Sequence, residues 1–551
     1  MGPEAQAEVA LVGGVVQPVD PSRPRAEAVA IGDGRILAVG TDRDVWALVG
    51  PRTRLIELRG RTVLPGFQDC HLHPTGYGTF RQQVYLHDKG TRDAYAETIA
   101  DYAAAHPEAE WILGGGWSMD QFPGGTPRRE ELDRIVPDRP VYLVNRDVHG
   151  AWVNSRALEL AGITAATPDP PGGRIERDPD GTPSGTLHEW ARFLVERLVP
   201  PTSADQLEEA IRIAQRDLHS LGITAWQDAW IEPDDEAAYR ALAGRGELTA
   251  RVRGALWWRP GGDESQVDEL LARRAAGPLG RFDPGTVKIM VDGVLENYTG
   301  ALLAPYLDRD GRPTDNVGIS FNDPLVLRRA VTRLDAAGVQ VHFHAIGDRA
   351  CREALDAIEA ARLANGPEDG RRRHHIAHLQ LIHPADIPRF RSLEVTGSIQ
   401  PLWACYDAQM TELTIPFLGP ERTRWQYPFR SLLDAGARLA GGSDLPVSTA
   451  NVFEQLEVAV NRVPPWDRSA EPFLPEQRLS LDEAIAAFTI GSAYVNHLDD
   501  RTGSITPGKL ADLVVVDRDL FDRGAGPIGA ARAVLTLVEG EVVFEDQDLE
   551  G

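Results

Sequence analysis

The middle of the 551-residue chain alternates short strand-like segments with helix-like segments. The strand-like segments are rich in β-branched and aromatic residues and are bounded by turn residues. A parallel sheet of eight strands, each followed by a helix, closes into a barrel, so we predict an α/β fold with a (β/α)8 TIM barrel. The eight predicted strands are residues 62–73, 223–229, 251–258, 287–293, 339–348, 374–380, 395–401 and 438–444.

The two ends of the chain have a different pattern from the middle. Residues 7–64 are short strand-like runs separated by Gly or Asp-Gly, and the C-terminal end repeats this style. Sheet edges from both ends can pair in one small domain. We predict a composite β-sandwich from residues 1–64 and 498–551 and a barrel over 65–497, with Pro65-Gly66 at the crossing between them.

The first two predicted strands are separated by far more residues than one helix needs, from His73 to Ile223. This interval includes a Gly/Pro-rich segment at 167–185. Long insertions in a compact fold commonly carry lids or substrate walls. We predict an insertion over the barrel mouth at roughly residues 80–205.

Charge and cysteine content restrict the classes of partner. The formal net charge of −25 disfavours nucleic acid and anionic membrane, which both attract basic surfaces. The three cysteines form no CxxC pair, and no signal peptide or membrane-spanning run is apparent. We therefore expect a cytoplasmic protein with a small-molecule substrate and no nucleic-acid or membrane partner, and a homodimer is left open.

The sequence LPGFQDCHLHP at 64–74 places His71 and His73 two residues apart at the end of the first predicted strand. Side chains at i and i+2 of a strand project to the same side. Both imidazoles can thus reach one ion at about 2.0–2.1 Å, the usual zinc–nitrogen distance. An isolated HxH pair is more often structural, but other polar residues end later strands.

The carboxyl ends of parallel barrel strands meet at one mouth, where active sites of this fold lie. Polar side chains collect at these ends, which favours a metal site over structural histidines. They are Lys288, Asp292, His342, His344, Asp348, His374, His375, His378 and Asp444.

Lys288 is one of only three lysines among 57 basic residues, and its neighbours in TVKIMVDG are apolar. It is either a lysine that extends to solvent at a strand end or a reactive amine. Burial favours the neutral amine, which can react with carbon dioxide to form an N6-carboxylated lysine. Such a carbamate has two oxygens and can bridge two cations.

Asp444 in AGGSDLP is either a turn aspartate or a carboxylate at the end of strand eight. In the second case it ligates a metal and acts as the catalytic base that takes a proton from the attacking water. Four further side chains are candidate substrate contacts. They are His149 and Trp117 in the insertion and the strand-end residues His342 and His374.

Taken together, these motifs resemble the amidohydrolase superfamily. More narrowly, the chain is similar to the amidohydrolase-3 branch, which includes the YtcJ-like proteins and the N-substituted formamide deformylases. The similarity extends over nearly the whole chain. The matching segments are LPGFQDCHLH, GGGWSMDQFPGG, RDVHGAWVNSRALELAGIT with TPDPPGG, VKIMVDG, HFHAIGDRA, RHHIAHLQ, GSDLPV and PGKLADLVVVD.

The resemblance implies a barrel with a metal site at its mouth. It places His71, His73 and Asp444 around one ion and His344 and His378 around another, with carboxylated Lys288 between them. The chain departs from the branch at Ala377, where glutamate is common, and after Asp292-Gly293. These departures affect the expected substrate more than the expected metal.

We therefore predict a metal-dependent hydrolase that cleaves an amide, N-formyl or N-acyl C–N bond with metal-activated hydroxide. The cofactor is expected to be one or two divalent ions, zinc in preference to manganese, iron or cobalt. Two alternatives stay open: a deaminase or cyclic-amide hydrolase with the same metal site, and a metal-binding scaffold without activity.

Overall fold

A computed structural model describes residues 6–549 of the chain. Its centre is an eight-stranded parallel sheet in which each strand pairs with the next one along the chain. This nearly closed sheet confirms the predicted (β/α)8 barrel. The strands are β1 (Phe67–Leu72), β2 (Ile223–Ile231), β3 (Arg251–Trp257), β4 (Phe282–Met290), β5 (Gln340–Ala345), β6 (His375–His378), β7 (Thr396–Ile399) and β8 (Arg438–Gly441).

The barrel strands are buried on both faces, and β5 shows how the two faces differ. Val341, Phe343 and Ala345 belong to the large apolar core between the sheet and its helices. Because side chains alternate along a strand, His342 and His344 project to the other face, inside the barrel. The alternation therefore separates a hydrophobic layer outside the barrel from a polar layer inside it.

Helices cover the outside of the barrel. Helix Ala204–Ser220 begins at a capping box formed by Ser203 and Gln206, and its buried stripe of Leu207, Ile211 and Leu218 faces the core. The helices that flank the barrel strands are Pro74–Phe80, Ala204–Ser220, Pro233–Arg245, Gln266–Arg274, Pro324–Ala336, Asp348–Asn365, Ile387–Ser392, Ile415–Thr423, Phe429–Asp434, Val452–Asn461, Leu481–Ala486 and Ser492–Val495.

The barrel is closed differently at the seam between β1 and β8, the two edges of the sheet. No ladder joins these strands within the described residues. Instead, Asp444 N–H donates to the carbonyl of His71 (2.8 Å), and His73 N–H donates to the carbonyl of Leu445 (2.7 Å). The predicted metal ligands thus belong to the backbone segments that close the barrel.

The long interval after β1 folds around a six-stranded sheet of its own, which the sequence did not predict as such. Its strands are Val84–Tyr85, Ile112–Trp117, Val141–Asn145, Gly150–Val153, Gly173–Arg177 and Pro183–Glu189. Its helices are Arg92–Ala105, Arg129–Ile135, Ser155–Ala161 and Phe193–Glu196.

The chain ends form two further sheets. Strands Val9–Val12, Ala28–Gly32, Arg35–Gly40 and Arg54–Glu57 make the first, beside helix Asp42–Trp46. Strands Val15–Val16, Thr62–Pro65, Leu513–Val516, Ala533–Val538 and Glu541–Glu545 make the second, so both termini share one sheet. The domain boundaries themselves stay a prediction.

The predicted first strand, 62–73, is two strands divided at Gly66. Thr62–Pro65 belongs to the terminal sheet and Phe67–Leu72 to the barrel. A Cβ at Gly66 would lie 2.4 Å from Cγ2 of Thr224, so a larger residue at this crossing would displace the Thr224 side chain. Among residues 6–549, no helix combines the length and apolar character needed to cross a bilayer.

The apolar layer outside the barrel should provide much of the stability. We expect Phe343→Ala to lower the free energy of unfolding by about 3–5 kcal/mol, because it leaves a cavity behind β5. Leu363→Ala is the matched control, since Leu363 is 84% exposed on helix Asp348–Asn365. Denaturant titration of both variants measures the difference, and equal effects would contradict this account of the core.

Candidate metal centre

Three side chains converge where β1 and β8 meet. His71 is on β1, His73 follows it, and Asp444 lies in the loop after β8. Nε2 of His71 and Nε2 of His73 lie 3.3 and 3.1 Å from Asp444 Oδ1. One candidate ligand atom from each residue lies within 4.8 Å of the others, a spacing compatible with one shared ion.

His344 from β5 and His378 from the end of β6 lie beside this group. The ring centroid of His378 is 4.6 Å from that of His71 and 4.4 Å from that of His344. His378 Nδ1 lies 3.8 Å from Asp444 Oδ2. The structure therefore brings together the two ligand groups that the family resemblance implied, with Asp444 between them.

Two buried polar atoms at this point have no hydrogen-bond partner among the described residues, Oδ1 of Asp444 and Nδ1 of His378. Leaving such atoms unpaired costs free energy, so they call for a ligand or ion. Imidazole nitrogens and a carboxylate oxygen are ligands that zinc accepts. The residues present thus fit a divalent cation.

The backbone is strained at the same two residues. Asp444 has φ of 59° and His378 has φ of 78°. Residues with a Cβ rarely adopt positive φ, and such conformations persist only where the surroundings impose them. The side chains of these two residues approach each other, with His378 Nδ1 3.8 Å from Asp444 Oδ2.

Burial sets the protonation states that a metal requires. Burial and the neighbouring Lys288 lower the pKa of His71 to about 3, and burial holds the pKa values of His344 and His378 well below the usual range. Neutral imidazoles and an ionised carboxylate are the forms that coordinate metal.

A chain of hydrogen bonds inside the barrel fixes the tautomer of His71. His342 Nδ1 lies 2.7 Å from Gln227 Oε1, an oxygen that only accepts, so His342 carries its hydrogen on Nδ1. Nε2 of His342 then accepts from Nδ1 of His71, 2.7 Å away. The lone pair of His71 is left on Nε2, the nitrogen that faces Asp444.

Asp69 holds the two sides of the site together. Its buried carboxylate accepts a hydrogen bond from the backbone N–H of His71 and another from that of Ser443, each at 2.9 Å. These bonds cross the seam between β1 and β8. Asp69 is therefore a structural partner of the metal ligands.

Lys288 on β4 is fully buried and lines the same cavity as the histidines. Burial lowers the pKa of its amine to about 7. A large fraction of Lys288 is therefore neutral at physiological pH, unlike an exposed lysine.

The cavity above these residues has a volume of about 520 Å³. Trp230 and Trp257 form one wall as stacked indoles with ring centroids 3.6 Å apart. The insertion contributes another wall that includes His149 and Glu189. A cavity of this volume accommodates a small molecule.

His149 Nδ1 and Glu189 Oε2 are 2.9 Å apart, and both residues are buried. Burial by itself lowers the pKa of His149, but the Glu189 carboxylate outweighs it and raises the pKa to about 9. The ring centroid of His149 is 5.5 Å from that of His344. The insertion thus places a charged pair beside the candidate metal ligands.

Comparison with known proteins identifies the family. A family model described as the amidohydrolase family matches residues 54–544. The chain belongs to the amidohydrolase family. Together with its structural neighbours and the His71–His73–Asp444 group, this identifies the amidohydrolase as a metal-dependent hydrolase.

Several curated relatives are similar to the amidohydrolase over nearly its full length. Protein LONG AFTER FAR-RED 3 of Arabidopsis thaliana is 33% identical over 98% of this chain and 92% of its own. Putative amidohydrolase YtcJ of Bacillus subtilis is 30% identical over 97% of this chain and 98% of its own. N-substituted formamide deformylase of Arthrobacter pascens is 28% identical over 98% of each chain.

A solved structure has the same fold as the amidohydrolase. The uncharacterized metal-dependent hydrolase of Pyrococcus furiosus is 26% identical and has a TM-score of 0.70. The match covers 93% of this chain and 99% of that one. This agreement confirms the amidohydrolase type of barrel.

Three residues predicted to contact substrate in the amidohydrolase lie elsewhere. His342 is in the layer beneath the cavity, in contact with His71 and Gln227. His374 is buried with Nε2 2.8 Å from Asp335, and the Trp117 indole donates to the carbonyl of Leu143. All three are fully buried and outside the cavity lining, so the structure does not support substrate contacts for them.

The sequence-based interpretation missed Gln227 and Glu189. Gln227 is in a predicted strand, and its position on the inner face of β2 was a usable signal. Glu189 is the last residue of a strand in the insertion, and no sequence motif set it apart from other acidic residues.

We expect His342→Leu to weaken zinc binding by about 10–100-fold, because the acceptor that fixes the Nδ1–H tautomer of His71 is lost. His374→Leu is the matched control, a fully buried histidine of the neighbouring strand region that does not contact the candidate ligands. Competition with a chromogenic chelator measures both affinities. Equal zinc affinities for the native protein and His342→Leu would contradict the tautomer assignment.

Proposed function

We propose that this amidohydrolase cleaves a C–N bond of a small molecule, an amide, N-formyl or N-acyl group. The observation that carries the proposal is the position of Asp444, whose unpaired Oδ1 lies between His71 and His73 at the floor of the cavity. The likeness to N-substituted formamide deformylase supports the type of bond. An N-formyl or N-acyl amine of low molecular mass fits the cavity volume.

We propose zinc as the metal, held by His71, His73 and Asp444, with His344 and His378 as ligands of a second ion. When bound, the metal supplies Lewis acidity, which polarises a carbonyl and lowers the pKa of water towards neutrality. Asp444 is the buried carboxylate within reach of both groups of candidate ligands, with Oδ1 near His71 and His73 and Oδ2 3.8 Å from His378. In the proposed reaction Asp444 accepts the proton of the attacking water and returns it to the departing amine.

Lys288 supplies the bridging ligand in this proposal. Its amine is buried next to the candidate ligands, and its pKa of about 7 allows a neutral fraction. Reaction of the neutral amine with carbon dioxide forms an N–C bond and releases the proton from nitrogen, which gives an N6-carboxylate, an anion with two oxygens. Such an anion would offset the positive charge of two ions held in this buried site.

His149 contributes from the insertion side. It lines the cavity beside His344, and its Nδ1 is engaged by Glu189. We assign His149 to the substrate, as a donor to the acyl oxygen when negative charge develops there.

A hydrolysis screen tests the bond type. We expect zinc-loaded protein to hydrolyse members of a panel of N-formyl and N-acyl amines, and Asp444→Asn to lower kcat by about 10²–10⁴-fold through loss of proton transfer. Asp88→Asn, at a solvent-exposed position of the cavity rim, is the control and should retain activity.

The same panel includes cyclic amides and amino-substituted heterocycles, measured by ring opening and by ammonia release. Preferential turnover of these compounds would replace the proposal with a cyclic-amide hydrolase or deaminase. If no compound is hydrolysed while Asp444→Asn leaves zinc affinity unchanged, the protein is a metal-binding scaffold without this activity.

Lys288→Arg tests the carbamate, because a guanidinium remains charged and cannot be carboxylated. We expect two ions per chain in native protein reconstituted with zinc and bicarbonate, and one in Lys288→Arg. Reconstitution below pH 7 should also lower the occupancy of the second ion, since the Lys288 amine is then mostly protonated. Elemental analysis and the ¹³C NMR signal from labelled bicarbonate measure these outcomes, with Lys89→Arg as control. Two ions bound by Lys288→Arg would contradict the bridging role.

A further inference from the structure

Glu189 has a strained backbone at the end of the last strand of the insertion sheet. Its φ and ψ are 49° and −127°, a conformation that a residue with a Cβ rarely adopts. Its side chain is buried, with 3% exposed. Strained residues cluster at functional sites, where the surrounding structure holds them in place.

The Glu189 carboxylate is anchored by the loop after β4. Its Oε1 accepts hydrogen bonds from Oγ1 of Thr299 (2.6 Å) and Nδ2 of Asn297 (3.1 Å). A Cβ at Gly293 would lie 2.5 Å from this oxygen, so the loop packs against Glu189 only because residue 293 is glycine. These contacts leave Oε2 for His149.

His149 is oriented by that contact. With Nδ1 bound to Oε2 of Glu189, Nε2 is the nitrogen that remains for a molecule in the cavity, which both residues line. The His149 ring lies next to His344, a candidate metal ligand from the barrel. An insertion residue and a barrel ligand therefore face the same small volume.

We propose that Glu189 is a positioning residue that holds His149 so that Nε2–H donates to the acyl oxygen during C–N cleavage. This inference rests on the proposed function and adds the pair that stabilises its intermediate. The water oxygen bonds to the acyl carbon as Asp444 takes its proton, and the carbonyl π electrons move to the acyl oxygen. This oxygen accepts the hydrogen bond from Nε2–H of His149. The carbonyl then re-forms as the C–N bond breaks, and the nitrogen takes the electron pair and the proton held by Asp444.

The insertion contains a second histidine–glutamate pair that serves as a control, with His188 buried and Glu176 partly buried. His188 Nε2 lies 3.1 Å from Glu176 Oε1. The two residues are on the neighbouring strands Pro183–Glu189 and Gly173–Arg177 of the insertion sheet. Neither residue lines the cavity. If such pairs only stabilise the fold, Glu176→Gln and Glu189→Gln should have similar effects on ligand binding in the cavity.

The experiment measures binding of methylphosphonate, a tetrahedral anion, to the zinc-loaded full chain by calorimetry. We expect His149→Phe and Glu189→Gln to weaken binding by about tenfold or more, as for loss of a hydrogen bond to a charged group. Glu176→Gln should stay within about twofold of native protein, and all variants should retain zinc and the thermal midpoint of a folded chain. If His149→Phe does not fold, His149→Gln replaces it.

Native affinity in Glu189→Gln, equal losses in Glu176→Gln and Glu189→Gln, or no binding of methylphosphonate to native protein would each overturn the inference. With any amide that the screen finds, Glu189→Gln should lower kcat while KM stays within about twofold, because the contact strengthens only as charge develops. If no amide is hydrolysed but methylphosphonate binding depends on both residues, the proposed reaction fails and the anion-binding pair stands.

Discussion

The closure of the barrel between β1 and β8 is the constraint on which the site depends. The two strands form no ladder with each other in the described part of the chain, and the seam is held by hydrogen bonds between the segments that follow them. Asp444 N–H donates to His71, and Asp69 accepts from both sides of the seam. The contact that completes the barrel therefore also brings His71 and His73 next to the carboxylate of Asp444.

The chemistry follows from what surrounds that seam. Apolar helices and the insertion bury the site, so His71, His344 and His378 stay neutral and the Lys288 amine loses much of its charge. Beneath the cavity, Gln227 and His342 select the tautomer of His71. Above it, the insertion adds Glu189 and His149. The barrel supplies the candidate metal ligands, and the insertion supplies His149 and Glu189, which line the cavity.

The sequence predicted the parts of the fold that depend on local periodicity. The strand–helix alternation predicted the eight barrel strands. The i, i+2 spacing of His71 and His73 predicted that their side chains point to the same side. The insertion sheet was missed because its strands are short and one of them, Ile112–Trp117, contains three consecutive glycines that indicate a loop. His374 looked like a strand-end site residue, but it lies before the start of β6 and pairs with Asp335 instead.

Other parts of the site depend on contacts between distant segments. Glu189 meets His149 from the turn before strand Gly150–Val153 and Thr299 from the loop after β4. Its backbone conformation is one that no local motif indicates. The assignment of Lys288, His344 and His378 as ligands came from the family resemblance and stays a prediction. The structure adds that these residues share one cavity with Asp444.

Anomalous diffraction at the zinc absorption edge, from crystals of zinc-loaded protein, tests the central claim most directly. The account predicts a peak at about 2.0–2.2 Å from Nε2 of His71, Nε2 of His73 and a carboxylate oxygen of Asp444. A peak at another place in the chain, or an ion at the barrel mouth with Asp444 turned away from it, would contradict the account.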